Sequence, residues 1–169
     1  MKKQSSHVRK PGLTTPRPAG LSREIFFRLA DWANEALFHS MEDGVAFLNR
    51  DMVIQRANPT LERWYPHANP LAGRKCYEAF QQRQSPCTTC PVQKTLRTSQ
   101  AVHETVPYLG SQGELLGWFD VFSFPLFDPQ TGQLQGVIEC VRDITAKKQH
   151  EREREAIASI ASALRSTTV

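Results

Sequence analysis

The sequence predicts an α+β domain: a five-stranded antiparallel sheet with short helices over one face, an amphipathic helix before it and a long charged helix after it. Two observations carry that reading. Residues 44–57 read as two short strands around an Asn-Arg-Asp turn, and residues 101–144 as three longer strands separated only by turn signals. Between these two sets, proline-punctuated fragments are too short for long helices, so they must lie as a helical layer on the sheet.

The elements follow in order. Residues 1–20 hold three prolines and two glycines and almost no large apolar group, a composition too poor to offset the entropy of ordering, so a disordered tail is expected there. Over residues 21–40, Leu21, Ile25, Leu29, Trp32, Ala36 and Leu37 recur at three- and four-residue spacing on one face of a helix. Ser22 is placed to cap it, and Leu21 to staple onto Phe26. GVAFLN (44–49) and MVIQRA (52–57) read as paired strands around Asn49-Arg50-Asp51. Asn58-Pro59 opens a short helix with Leu61 and Trp64 facing inward, residues 65–72 form a connector, and 73–80 a second short helix. Pro91 starts a third helix over PVQKTLRT.

Strands at 101–108, 114–127 and 133–144 are joined at Gly110–Gly113 and Asp128–Gly132. Pro125 requires its side of the middle strand to lie at an edge or a bulge. From Thr145 to about Ser166 the residues are strong helix formers, with Ile157, Ile160 and Leu164 spaced as in a coiled-coil seam. The domain then occupies residues 41–145, and residues 146–169 form an outgoing helical linker.

Charge narrows the function. Five of the 21 basic residues fall in 1–20, leaving 16 basic and 17 acidic residues in the rest, so the folded part is close to neutral. A nucleic-acid partner is disfavoured, since it calls for basic groups on the folded surface. No run of apolar residues is long enough to span a bilayer and no signal-like segment opens the chain, so a cytoplasmic location without membrane contact is expected.

Several phrases carry a resemblance. LFHSMEDGVAFLNRDMVIQRANPTLERWY (37–65) and the closing GVIECVRDIT (136–145), followed by a charged helix, resemble a bacterial PAS domain of the sensor histidine kinase type. The resemblance covers about Leu37 to Thr145 and implies a sensory or dimerisation module rather than a catalyst. It also implies that Asp143, Ile144 and Thr145 relay a change in the core to the outgoing helix. In physical terms, the Asp143 carboxylate can accept backbone donors at that helix start. A homodimer through residues 21–40 and 150–166, with Ile157, Ile160 and Leu164 at its seam, and a downstream signalling domain or partner protein are expected.

Three of the four cysteines lie within fifteen residues, as Cys76, Cys87 and Cys90, with Pro91 following. A Cys-x-x-Cys pair can grip one tetrahedral ion, and a helix start favours thiolate. Cys140, His103 and His67 are the candidates for a fourth ligand. Zinc, an iron–sulfur cluster, a reversible Cys87–Cys90 disulfide and passive packing of small thiols are four open readings. Flavin is disfavoured: GRKCYE (73–78) places Lys75 and Tyr77 where the resembling flavin segment has asparagine and arginine, and GWFDVFSF lacks an asparagine for the ring. Haem is disfavoured because PVQKTLRT offers no axial histidine. No phosphate loop, nucleophile elbow or zinc-protease helix is present, so no enzyme is expected. The alternatives are a passive dimerisation scaffold and a thiol–disulfide protein acting through Cys87 and Cys90.

Overall fold

The computed structural model describes residues 22–109 and 114–166, with the side chains of 23, 24, 26 and 164–166 excepted. The expected tail, the Leu21–Phe26 staple, the turn at 110–113 and the Leu164 side chain therefore lie outside the described residues. The chain divides into two compact units, Met1–Leu37 and Phe38–Val169. The first unit holds most of helix α1 (Arg23–Ser40), whose start is capped by Ser22: its Oγ accepts from Ile25 N at 3.3 Å.

The second unit is an antiparallel sheet in the order β2-β1-β5-β4-β3. Its strands are β1 (Gly44–Asn49), β2 (Ile54–Ala57), β3 (Val102–Leu109), β4 (Leu115–Phe127) and β5 (Leu134–Asp143). Helices α2 (Pro59–Trp64), α3 (Cys76–Gln81) and α4 (Pro91–Thr98) lie between β2 and β3 in sequence, and α5 (Thr145–Ser166) leaves after β5. The fold class is the one the sequence predicts.

Within the domain the long strands β3, β4 and β5 shift by a single residue at their ends, and two elements start later than expected by more than that, each for a local backbone reason. β2 starts at Ile54 rather than residue 52 because Met52 sits in the left-handed region at φ 59°. The Asn49 side-chain oxygen holds this turn, accepting from Asp51 N and Val53 N, both at 2.9 Å. Helix α3 starts at Cys76 rather than residue 73. Gly73 has φ 85°, and residues 73–76 run beside β2: Ile54 N donates to Arg74 O, Gly73 N to Ile54 O, and Cys76 N to Met52 O. Those bonds fix where the first cysteine stands.

Alternation along the strands gives the sheet two faces. Ala46 and Leu48 of β1, Phe119, Val121 and Ser123 of β4, and Val137, Glu139 and Val141 of β5 are buried under the helices. Leu61, Tyr65, Leu71, Cys76, Ala79, Cys90 and Val92 close on them from the helical side. Asn58, fully buried, ties the layers together. Its Oδ1 accepts from Val45 N at 3.0 Å and from Leu61 N at 3.2 Å, and its Nδ2 donates to Asp43 O at 2.9 Å. The cap read from Asn58-Pro59 is thus also a clamp between β1 and α2. Pro125 lies beyond the last β3 partner of β4, which is Ser123, so its missing donor interrupts no described ladder bond.

Candidate functional site

Three elements bring the clustered cysteines to one place. Cys76 opens α3, its backbone held against Met52. Cys90 caps α4, with Sγ accepting from Gln93 N at 3.4 Å, and Pro91 supplies the first helical residue without needing a donor. Cys87 lies in the loop between them. Thr95 pins α4 to the sheet, since its buried hydroxyl donates to Ser123 O at 3.1 Å.

All three cysteines line one cavity of about 280 Å³ between the helices and the sheet. Tyr77, Phe80, Val92, Val106 and Val121 supply apolar walls, Arg83 stands exposed at the rim, and Glu139 reaches in from β5. Glu139 is 8% exposed, and its Oε2 has no hydrogen-bond partner. Its neighbours across the sheet are Ala46 and Ser123, and the Ser123 Oγ is likewise buried without a partner. Burial pushes the Glu139 carboxyl up to about 7.

The same burial decides the chemistry of the sulfurs. A helix start alone would lower a thiol pKa, but desolvation drives Cys76, Cys87 and Cys90 upward, reinforced by the Glu139 charge. The Gln93 N–H pulls Cys90 down and Arg83 pulls Cys87 down, and neither outweighs burial. The thiolate preference expected at this helix start is therefore reversed. All four cysteines are free thiols. Among the described residues, no group of three or more His, Cys, Asp or Glu side chains is arranged to hold a metal ion.

The candidate fourth ligands lie elsewhere. Cys140 pairs across the sheet with Val45 and Phe122 and alternates with Glu139, so it belongs to the opposite sheet face. His103 is on that opposite face too, stacked on Phe122 at 4.2 Å between ring centroids, with Nε2 3.3 Å from Asp120 Oδ1. His67 is exposed after α2 and meets Tyr65 edge-on. The residue that does join the trio, Glu139, is absent from the sequence-based set. Its signal was present: alternation from Val137 to Val141 puts it on the valine face.

At the other end of β5, Asp143 Oδ1 accepts from Thr145 N at 2.8 Å, the capping bond expected from sequence. Ile144 is buried and its N donates to Trp118 O, while Thr145 Oγ1 accepts from Trp118 N at 3.0 Å. Both backbone groups of Trp118 in β4 thus hold the root of α5. Farther along, Ile157 and Ile160 are exposed.

The PAS-fold family profile matches residues 38–149, two thirds of the chain. The chain belongs to the PAS family. Solved PAS domains share its fold. One from Colwellia psychrerythraea is 18% identical with a TM-score of 0.51, covering 70% of this chain and 98% of its own. The PAS domain of nitrogen regulation protein NR(II) from Vibrio parahaemolyticus is 17% identical with a TM-score of 0.52, covering 66% and 97%. A PAS domain from a two-component sensor histidine kinase is 12% identical with a TM-score of 0.50, covering 69% and 98%. No curated protein matches the chain. No helix among the described residues of this PAS domain is long and apolar enough to cross a membrane.

Burial also sets an order of reactivity for the PAS thiols. Iodoacetamide at about pH 8 is expected to label half-buried Cys87 and Cys140 first, with Cys76 and Cys90 at least about tenfold slower. Peptide mass mapping over time reads the order. Cys76 labelled as fast as Cys87 would show that the helical layer does not shield it.

Proposed function

We propose that this PAS domain is the sensory part of a signal-transduction protein, in which the state of the cavity around Cys76, Cys87, Cys90 and Glu139 is passed to α5. The observation that supports it is shared strands. Val121 and Glu139 line the cavity, while Trp118 and Asp143, three and four residues away on the same β4 and β5, hold the root of α5. Val121 is paired with Val141 and Phe119 with Asp143, so a shift of the β4–β5 register or twist at the cavity reaches Thr145 directly. The kinase-derived PAS neighbour favours a downstream signalling unit as the recipient. The exposed Ile157 and Ile160 favour a homodimer through α5, which sedimentation of the wild type against Ile157→Glu tests. Raised thiol pKa values work against thiol–disulfide exchange through Cys87 and Cys90.

Hydrogen exchange along α5, measured before and after attaching a bulky maleimide to Cys87, tests the relay. Exchange over residues 145–155 is expected to change in the wild type. Asp143→Ala is expected to lower stability by only about 1 kcal/mol, a cap's worth, while abolishing that change. An α5 indifferent to the cavity, or an Asp143→Ala protein that responds like the wild type, would refute the relay.

A further inference from the structure

We propose that the Glu139 cavity binds a small apolar molecule carrying one basic nitrogen, with the nitrogen donating to the Glu139 carboxylate at the cavity floor. This deepens the sensory reading and rests on it for the consequence of binding, though not for binding itself. Three observations converge. The cavity is half open, and the side chains that line it from α3, α4, β3 and β4 are mostly apolar, so the body of an occupant is apolar as well. Its volume, about 280 Å³, is roughly twice that of an apolar protein cavity of about 150 Å³ known to admit benzene, which suits a molecule of about ten non-hydrogen atoms. At its floor a carboxyl side chain is more than nine-tenths buried and has one oxygen with no protein partner.

A buried acceptor without a protein donor is costly, and its partner must come from outside the chain, from water or from a bound molecule. The groups acting on Glu139 from the packed elements select what that donor is. Tyr65 after α2, Cys76 of α3, Cys87 of the loop and Cys90 of α4 are neutral at pH 7, since burial drives each of them up. Arg83 at the rim bears on Cys87. Among the described residues no cation therefore compensates the carboxylate, whose shift comes from burial alone, which disfavours an anionic occupant and favours a protonated nitrogen. The Ser123 hydroxyl, unpartnered on the neighbouring strand, can accept or donate a second bond.

Four probes of matched size separate the chemistries: phenethylamine, phenethyl alcohol, propylbenzene and phenylpropionate, titrated at about pH 7.5 and followed by amide chemical shifts. Phenethylamine is expected to bind at least about tenfold more tightly than propylbenzene, the ratio of a charge-assisted bond to none. Glu139→Gln, which removes a buried charge and keeps the shape, is expected to bring the amine down to the hydrocarbon. Val121→Phe narrows the cavity and is expected to weaken both. Equal affinity for amine and hydrocarbon, a preference for phenylpropionate, an amine affinity unmoved by Glu139→Gln, or no binding by any probe would each overturn the proposal. Amine binding that leaves hydrogen exchange in α5 unchanged would uphold this site and overturn the sensory reading.

Discussion

Glu139→Gln is expected to abolish a fall in stability that the wild type shows between about pH 5 and pH 7. The Glu139 carboxyl is raised from an ordinary value of 4.5 to about 7 by burial. Between those two values the native state keeps a proton that the unfolded chain has released. Stability from this group is therefore complete below about pH 4.5, declines as the pH rises through the window, and levels off above about pH 7. The shift corresponds to a decline on the order of 3 kcal/mol. A glutamine in the same place carries no proton to lose, so its curve stays flat there and overtakes the wild type in alkaline buffer. Urea denaturation at four pH values across the window, for both proteins, measures this. Equal slopes in the two proteins would mean that Glu139 is ionised at little cost in the native state, and that the carboxyl is not as dry as the fold makes it.

Gly136→Ala is expected to be the most damaging single methyl addition in the sheet. Gly136 lies on β5 opposite Asn49 of β1 and Leu126 of β4, and a Cβ there would stand 1.9 Å from the Leu48 carbonyl oxygen. That oxygen is backbone in the adjoining strand, so no rotamer can move it away, and β1 would have to part from β5. A loss of at least about 3 kcal/mol is expected, or failure to fold. Gly73→Ala is the comparison. Its φ of 85° strains alanine, but nothing stands within 4 Å of the added carbon, and a loss of about 1 kcal/mol is expected. Thermal melts of both variants rank them. Gly73→Ala falling lower than Gly136→Ala would show that the two strands separate easily.

Much of the fold was legible because two periodicities rarely compete in this chain. GVAFLN is a short apolar run bounded by Gly44 and the Asn49 turn and forms β1 over its full length, and PVQKTLRT opens with proline and runs as α4 for its full length. Asp143-Ile-Thr declared its capping bond because side-chain length and position settle it locally. The cavity was only half legible. Spacing brings Cys87 and Cys90 together, but whether Cys140 joins them depends on which face of β5 turns inward, and that is fixed by the pairing with β1 and β4. Glu139 was overlooked because an acid in a strand ordinarily faces water, and here the valines on either side carry it inward. The direction of the thiol pKa shifts was likewise invisible locally. A helix start is a property of eight residues, whereas desolvation is a property of everything packed above them.

The bonds that Trp118 makes to residues 144 and 145 fix the rotational phase of α5 about its own axis. A rod clamped at its root cannot swivel freely, and each residue added to an α-helix turns its tip by about 100°. Lengthening the rod by a single residue would thus re-aim an appended unit by more than a quarter turn and leave the cavity untouched. A full heptad would nearly restore its bearing.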